Sequence, residues 1–348
     1  MHESYDYADA PRIVIWEMTR ACALACRHCR AEATPHRDSA ELTTSEAFKL
    51  VDAVAECGAS IFVLTGGDPF MRDDLNKVVE YATRRGLRVA VSPSATGRLT
   101  AHALAALSRA GCRRISLSID AHDTRSHDEF RGVKGSFERT LAGVFAARGV
   151  GLEVQINTTI SRFNHEHIAD IAKLLGTLDI ALWSLFFLVP VGRAAVEDVL
   201  DADQTETVFE KVYRLAQTLP FEVKTTEAPH YRRFVAQRAA TPPLRYNGIG
   251  DGKGFVFVSH HGEIAPSGFL PHVVGNVRSD SLLHVYRDDP FMQRLRAPET
   301  FSGKCGICEF RNLCGGSRAR AYTMTGNAFG SEPTCAYLSS PLMQAAHA

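Results

Sequence analysis

The 348-residue chain has no charge excess of either sign: 39 Lys and Arg balance 39 Asp and Glu. Gripping a phosphate backbone takes a surplus of cations, so nucleic acid is excluded as the principal partner. No apolar run approaches the ~20 residues that span a bilayer. The longest, residues 181–191, is short enough to be a buried strand. The opening Met-His-Glu-Ser-Tyr-Asp is polar and lacks the basic and apolar regions of a secretory leader. The expected location is therefore cytoplasmic. Hydrophobic content of 45% and charged content of 22% are ordinary for a globular protein. The length admits two domains, or one with an extension.

Cysteine is where the chain departs from the ordinary. Nine are present, and in a reducing compartment they are better read as metal ligands than as disulfides. Cys57 and Cys112 each close a helical pattern and read as small buried hydrophobes. The other seven form two clusters. Cys22, Cys26 and Cys29 sit at C-x3-C-x2-C just after an apolar run at residues 13–16. Thiolates on one tight loop suit an iron–sulfur cluster. Three ligands on a four-iron cube leave one iron open to a small chelating molecule. Cys305, Cys308, Cys314 and Cys335 follow C-x2-C-x5-C-x20-C, enough to complete a cluster with no open position. Zinc is the alternative at both places, in which case the protein is a non-enzymatic scaffold.

Between the clusters, short apolar runs alternate with amphipathic helical stretches. Strands are expected at 13–17, 61–64, 88–91, 115–119, 152–160 and 182–189. A Thr43/Glu46 capping box opens the first helix. Alternation of this kind implies parallel strands with right-handed crossovers, and six units suggest an open partial barrel. In such folds ligands gather at the C-terminal ends of the strands. The polar residues there are Gly66, Gly67 and Asp68 after strand two, Ser92 and Ser94 after strand three, Ser118 and Asp120 after strand four, and Asn157 and Thr158 in strand five. Each can bind a ligand or only cap a turn. A strand from Phe221 leading to Glu227, His230, Arg232 and Arg233 can reach the barrel mouth, or can be a solvated helix start. Residues 241–254 are rich in Pro and Gly and read as a linker. Runs at 255–259 and 263–266 flank His-His-Gly and read as a hairpin.

The first cysteine motif, with Gly66-Gly67-Asp68 behind it, resembles the radical S-adenosylmethionine (SAM) superfamily. That resemblance implies an α/β partial (βα)6 barrel over residues 1–195 and a bridging segment at 196–254. Residues 255–348 would form a C-terminal β-hairpin and auxiliary iron–sulfur domain. It further implies that SAM chelates the open iron through its amino and carboxylate groups. His28 stands where the family usually has an aromatic residue beside adenine. Gly66, Gly67 and Asp68 match the motif that holds the methionyl amino group, where the family more often has Glu at the third position. Ser92, Ser118, Asp120 and Asn157 are the implied ribose-side contacts, and Arg131 resembles the arginine that pairs with the carboxylate of SAM.

The C-terminal run, Cys-Gly-x-Cys-x5-Cys-Gly-Gly-Ser-Arg-Ala-Arg-Ala-Tyr with the late Cys335, resembles the SPASM/twitch auxiliary-cluster domain of the haem-biosynthesis branch. Ser267 stands where such domains often have a first cysteine, so one auxiliary cluster is implied. The branch implies reductive cleavage of SAM to a 5′-deoxyadenosyl radical, hydrogen abstraction from a tetrapyrrole and oxidative decarboxylation or loss of its propionates. It also implies an electron donor such as flavodoxin or ferredoxin. Arg193, Arg232, Arg233 and Arg245 are candidate partners for propionates. His165, His167, His260 and His261 are candidates to approach an iron. A maturase of a ribosomally made peptide is the competing reading. Only about a dozen residues precede the first strand, too few for the peptide-binding module such maturases often carry.

Overall fold

The computed structural model describes residues 7–239 and 248–339. Arg245 and the first half of the expected linker, residues 241–247, lie outside them. One ten-stranded sheet organises the chain. Its strands are β1 (Ile13–Glu17), β2 (Ile61–Thr65), β3 (Arg88–Val91), β4 (Arg114–Ser118) and β5 (Glu153–Ile160), followed by β6 (Leu182–Phe187), β7 (Glu222–Thr226), β8 (Phe255–Val258), β9 (Glu263–Ala265) and β10 (Gly275–Asn276).

The strand order is β10-β9-β8-β1-β2-β3-β4-β5-β6-β7. Strands β1 to β6 pair in parallel in chain order, as the six-unit pattern predicts. The sheet then grows at both edges. Strand β7 adds in parallel to β6. Strand β8 returns across the molecule to lie parallel to β1, with Ile13 opposite Phe255. The expected hairpin is β8–β9, antiparallel.

Parallel strands with helices on their outer face are buried on both sides. Val14, Trp16, Phe62, Leu64, Leu117 and Ile156 are fully enclosed. The helix Thr44–Glu56 shows how the outer layer is built. Thr43 Oγ1 accepts from Glu46 N at 3.3 Å, and Glu46 Oε2 accepts from Thr43 N at 2.8 Å. With its free amides satisfied, the helix turns Leu50, Val51 and Val54 onto the sheet. Cys57 and Cys112 are buried, and burial pushes both thiols up to about 12, so they stay neutral. Among the described residues no helix is long and apolar enough to cross a membrane.

Candidate active site

The cysteine loop leaves the C-terminal end of β1 and is stitched to the turn after β2. Gly67 N donates to Thr19 O and Asp68 N to Ala21 O, both at 2.8 Å. The glycines are required by this contact. A Cβ on Gly66 would run into Thr19 O, and one on Gly67 would lie 2.5 Å from both Arg20 O and Ala21 O. A second anchor is the helix Thr124–Arg131, absent from the sequence expectations because its composition is almost wholly polar. Asp123 caps it by accepting from Ser126 N at 2.9 Å, and only His127 and Phe130 turn inward. It ends at Gly132 (φ +69°), where a Cβ would sit 2.6 Å from Ala25 O. A third anchor is the turn after β6. Gly192 (φ +65°) lies against the loop so closely that a Cβ would be 2.5 Å from Cys29 O, and Arg193 N donates to that carbonyl at 3.0 Å.

Cys22, Cys26 and Cys29 line one cavity of about 210 Å³ at the barrel mouth. Donors surround their sulfurs. Leu24 N reaches Cys22 Sγ at 3.3 Å, Ala33 N reaches Cys29 Sγ at 3.4 Å, and Arg131 Nη1 reaches Cys26 Sγ at 3.8 Å. Burial pushes the Cys22 and Cys26 thiols up. Unaided, these thiols keep their protons; a bound metal would supply the positive charge that a buried thiolate lacks. The donor set therefore fits a thiolate-bound cluster.

Gly66, Gly67, Ser92, Ser118, Arg131 and Asn157 line the same cavity. Asp68 and Asp120 do not, and the reason is visible in their partners. Asp68 accepts from Thr96 Oγ1 at 2.8 Å, Phe70 N at 3.2 Å and Ser94 N at 3.4 Å, which turns its carboxylate into the protein. Asp120 is wholly buried, accepting from Thr159 N and Arg131 Nε, each at 2.7 Å. Burial opposes its ionisation, but Arg131, His28 and His127 hold it below the usual carboxylate range. It holds Arg131 through Nε and Nη2. His28 stacks on Phe130 with centroids 4.2 Å apart, and Phe130 stacks in turn on Phe163 at 4.8 Å. Burial, with Arg131, lowers His28 to about 3, leaving a neutral ring.

Behind the loop, Glu17 is buried and bound by Arg30 Nη2 at 2.6 Å, His260 Nδ1 at 2.9 Å and Arg20 Nε at 3.3 Å. Arg30 also donates to Gly268 O at 3.3 Å, joining the loop to the segment after β9. That segment brings Phe269 to the cavity, opposite Phe186 of β6 at 6.2 Å between centroids. Neither phenylalanine was singled out from sequence: Phe186 sits in an apolar strand that also reads as core, and Phe269 lies between Gly268 and Leu270-Pro271 with no motif around it.

None of Glu227, His230, Arg232 or Arg233 lines the cavity. Glu227 accepts from Ser317 Oγ at 2.6 Å, and burial and then Asp251 push its carboxyl up. His230 packs edge-on against Phe209. Arg232 donates to Ile249 O at 2.8 Å, and Arg233 is held by Glu206 and by Gln237 at 2.9 Å. His165 is half-buried with its Nδ1 on Arg162 O at 3.2 Å, His167 is exposed, and His261 Nε2 pairs with Asp38 at 2.9 Å.

Cys305, Cys308, Cys314 and Cys335 are free thiols in the C-terminal region. Arg318 Nη2 at 3.5 Å and Glu332 N at 3.3 Å donate to Cys305 Sγ, and Gly316 N donates to Cys314 Sγ at 3.3 Å. Burial raises Cys308 to about 11, and Cys305 and Cys335 are near enough to both Cys308 and Cys314 to raise them further. Mutual repulsion among four clustered thiols is what a shared metal group relieves.

Residues 16–175 match the model of the radical SAM superfamily. The chain is 42% identical over 345 residues to the AdoMet-dependent heme synthase of Oleidesulfovibrio alaskensis, an alignment covering 95% of this chain and 89% of that protein. The chain belongs to the radical SAM superfamily. To the AdoMet-dependent heme synthase of Methanosarcina barkeri this radical SAM enzyme is 38% identical, over 94% of this chain and 97% of the relative. Among solved structures, Streptococcus suis SuiB bound to S-adenosylmethionine superposes with a TM-score of 0.77 at 17% identity, covering 94% of this chain and 78% of SuiB. At that identity the likeness speaks for the fold alone. Membership of this superfamily makes SAM and a four-iron cluster cofactors of the enzyme.

Proposed function

We propose that this radical SAM enzyme acts on an iron tetrapyrrole bearing propionate side chains, converting propionates to vinyl groups by oxidative decarboxylation. The observation that carries the reading is 42% identity along 95% of the chain to an AdoMet-dependent heme synthase. The cavity supports it: phenylalanine faces suit a flat macrocycle, and arginines suit its carboxylates.

We assign Cys22, Cys26 and Cys29 to the SAM-binding cluster, and Gly66, Gly67, Ser92, Ser118, Arg131 and Asn157 to SAM. Arg131 is held by Asp120 at Nε and Nη2 and reaches Cys26 Sγ with Nη1, so it brings fixed positive charge, rather than an open fork, to the carboxylate of SAM. Asp68 and Asp120 serve this site from behind its wall. When bound, the cluster and SAM supply hydrogen-atom abstraction from an unactivated carbon. The chain encloses that chemistry: Phe269, held by the Arg30–Gly268 bond, narrows the barrel mouth and limits entry of water. Losing a hydrogen atom and carbon dioxide from a propionate leaves one electron to be accepted. We assign Cys305, Cys308, Cys314 and Cys335 to an auxiliary cluster suited to that role. A flavodoxin or ferredoxin would deliver the electron that starts each turnover.

The test is an anaerobic assay of reconstituted protein with SAM, dithionite and iron-coproporphyrin III. Mass spectrometry is expected to show loss of carbon dioxide and a hydrogen atom from propionates. Consumption of SAM with an unaltered porphyrin would refute the substrate; modification of a peptide under the same conditions would favour the maturase reading.

A further inference from the structure

Three arginines line the cavity, Arg30, Arg131 and Arg193, and their guanidinium groups are not equivalent. Arg30 is neutralised by Glu17 at 2.6 Å and lies over the Phe257 ring at 4.8 Å. Arg131 is neutralised by Asp120 and bonded to Cys26 Sγ. Among the described residues the guanidinium of Arg193 has no ion-pair or hydrogen-bond partner. It is exposed, yet its backbone is fixed. Its amide bonds Cys29 O at 3.0 Å, and the left-handed Gly192 before it holds the turn against the cysteine loop. The group is near enough to His28 to help suppress protonation of that ring. An arginine anchored at its backbone, open at its head and lining a cavity is a ready receptor for a carboxylate.

We propose that Arg193 is the residue that grips a propionate carboxylate of the substrate and so selects a propionate-bearing macrocycle. This rests on the tetrapyrrole reading above. The same sequence interval offered Arg232 and Arg233 for the task, but their guanidiniums are already held by Ile249 O and by Glu206. Arg193 differs from them by its partners, not by its chemistry. The other carboxylate that could enter this cavity is that of SAM, which Arg131 already serves in the assignment above.

The experiment compares wild type, Arg193→Gln and Arg193→Lys as anaerobic, cluster-loaded proteins. Three dissociation constants are measured for each: iron-coproporphyrin III, its tetramethyl ester and SAM. In Arg193→Gln, affinity for the free acid is expected to fall roughly 10- to 100-fold, the range for losing a charge-assisted hydrogen bond. Affinity for the ester is expected to change by no more than about twofold, because no carboxylate remains to be gripped. Arg193→Lys keeps a point charge without the fork and is expected to fall between. A merely structural role would weaken acid and ester alike, and that result overturns the inference. So does a loss confined to SAM, which would make the SAM carboxylate the partner. Wild type that binds neither porphyrin overturns the tetrapyrrole reading, and the inference with it. Wild type that binds the acid no better than Arg193→Gln overturns the inference alone.

Discussion

Arg320 lies in the helix Arg318–Thr325 and is 1% exposed. Its guanidinium donates to Leu188 O and Phe187 O, both at 3.1 Å, to Glu227 O at 2.7 Å and to Glu332 Oε1 at 3.1 Å. Two of these carbonyls belong to the end of β6 and the residue after it, and the third follows β7. One side chain thus clamps the C-terminal region to the barrel mouth. Burial opposes ionisation of Glu332, but Arg320 and His230 outweigh it and hold the carboxyl at about 2. Arg320→Gln would strand that carboxylate in the interior and orphan most of the carbonyls. Breaking a buried pair from one side costs about 3–5 kcal/mol. With an m-value of about 3 kcal/mol/M, the urea midpoint should fall by roughly 1–1.7 M. Adding Glu332→Gln removes the stranded charge and should restore roughly 1–3 kcal/mol of the loss. The assay is equilibrium urea unfolding of all three proteins followed by tryptophan fluorescence. A single variant within about 0.3 M of wild type, or a double variant that simply adds two losses, would show that the pair is not the clamp.

Cys26→Ala should abolish reductive cleavage of SAM, measured as 5′-deoxyadenosine by chromatography; cleavage at the wild-type rate would sink the ligand assignment of the first motif. Cys314→Ala should still cleave SAM but form no decarboxylated porphyrin, and full product yield would show the C-terminal thiols to be dispensable for turnover. Glu17 gives a pH prediction. Its folded pKa is about 2 against an ordinary 4.5, because Arg30, His260 and Arg20 outweigh its burial. A depressed carboxylate stabilises the fold fully above pH 4.5 and loses that contribution as pH falls toward 2. The stake is about 3 kcal/mol. Metal-free wild type should therefore lose more stability between pH 5.5 and pH 3 than Glu17→Gln; equal acid limbs in urea unfolding would count against the buried ion pair.

What could be read from the sequence, and what could not, divides along a physical line. Strands β1 to β6 were legible because a parallel strand buried on both faces is a short continuous apolar run between turn residues. The Thr43 cap was legible because it is local. The two cysteine sets were legible because ligand spacing along a loop is itself a structural statement. The pairing of β8 with β1 had no local signature: the apolar run was visible at 255–259, but its neighbour lies some 240 residues away and is chosen by the closing of the sheet. Glycine was legible as punctuation, and only part of its purpose was. Gly66 and Gly67 read as room for a ligand, whereas each first makes room for the backbone of the cysteine loop, as Gly132 and Gly192 do from other directions. Acidic residues behaved alike: Asp68 and Asp120 occupy ligand-facing turns by sequence, yet hydroxyl, amide and guanidinium donors from elsewhere in the fold turn both inward. The arginines make the reason general. Arg193, Arg232 and Arg233 are indistinguishable as residue types, and what separates a receptor from a strut is whether the fold has delivered an acceptor to the head group. Sequence identifies the functional group, while the long-range contacts determine whether its valence is already taken. On the proposal above, specificity falls to the guanidinium whose valence the described residues leave open, that of Arg193.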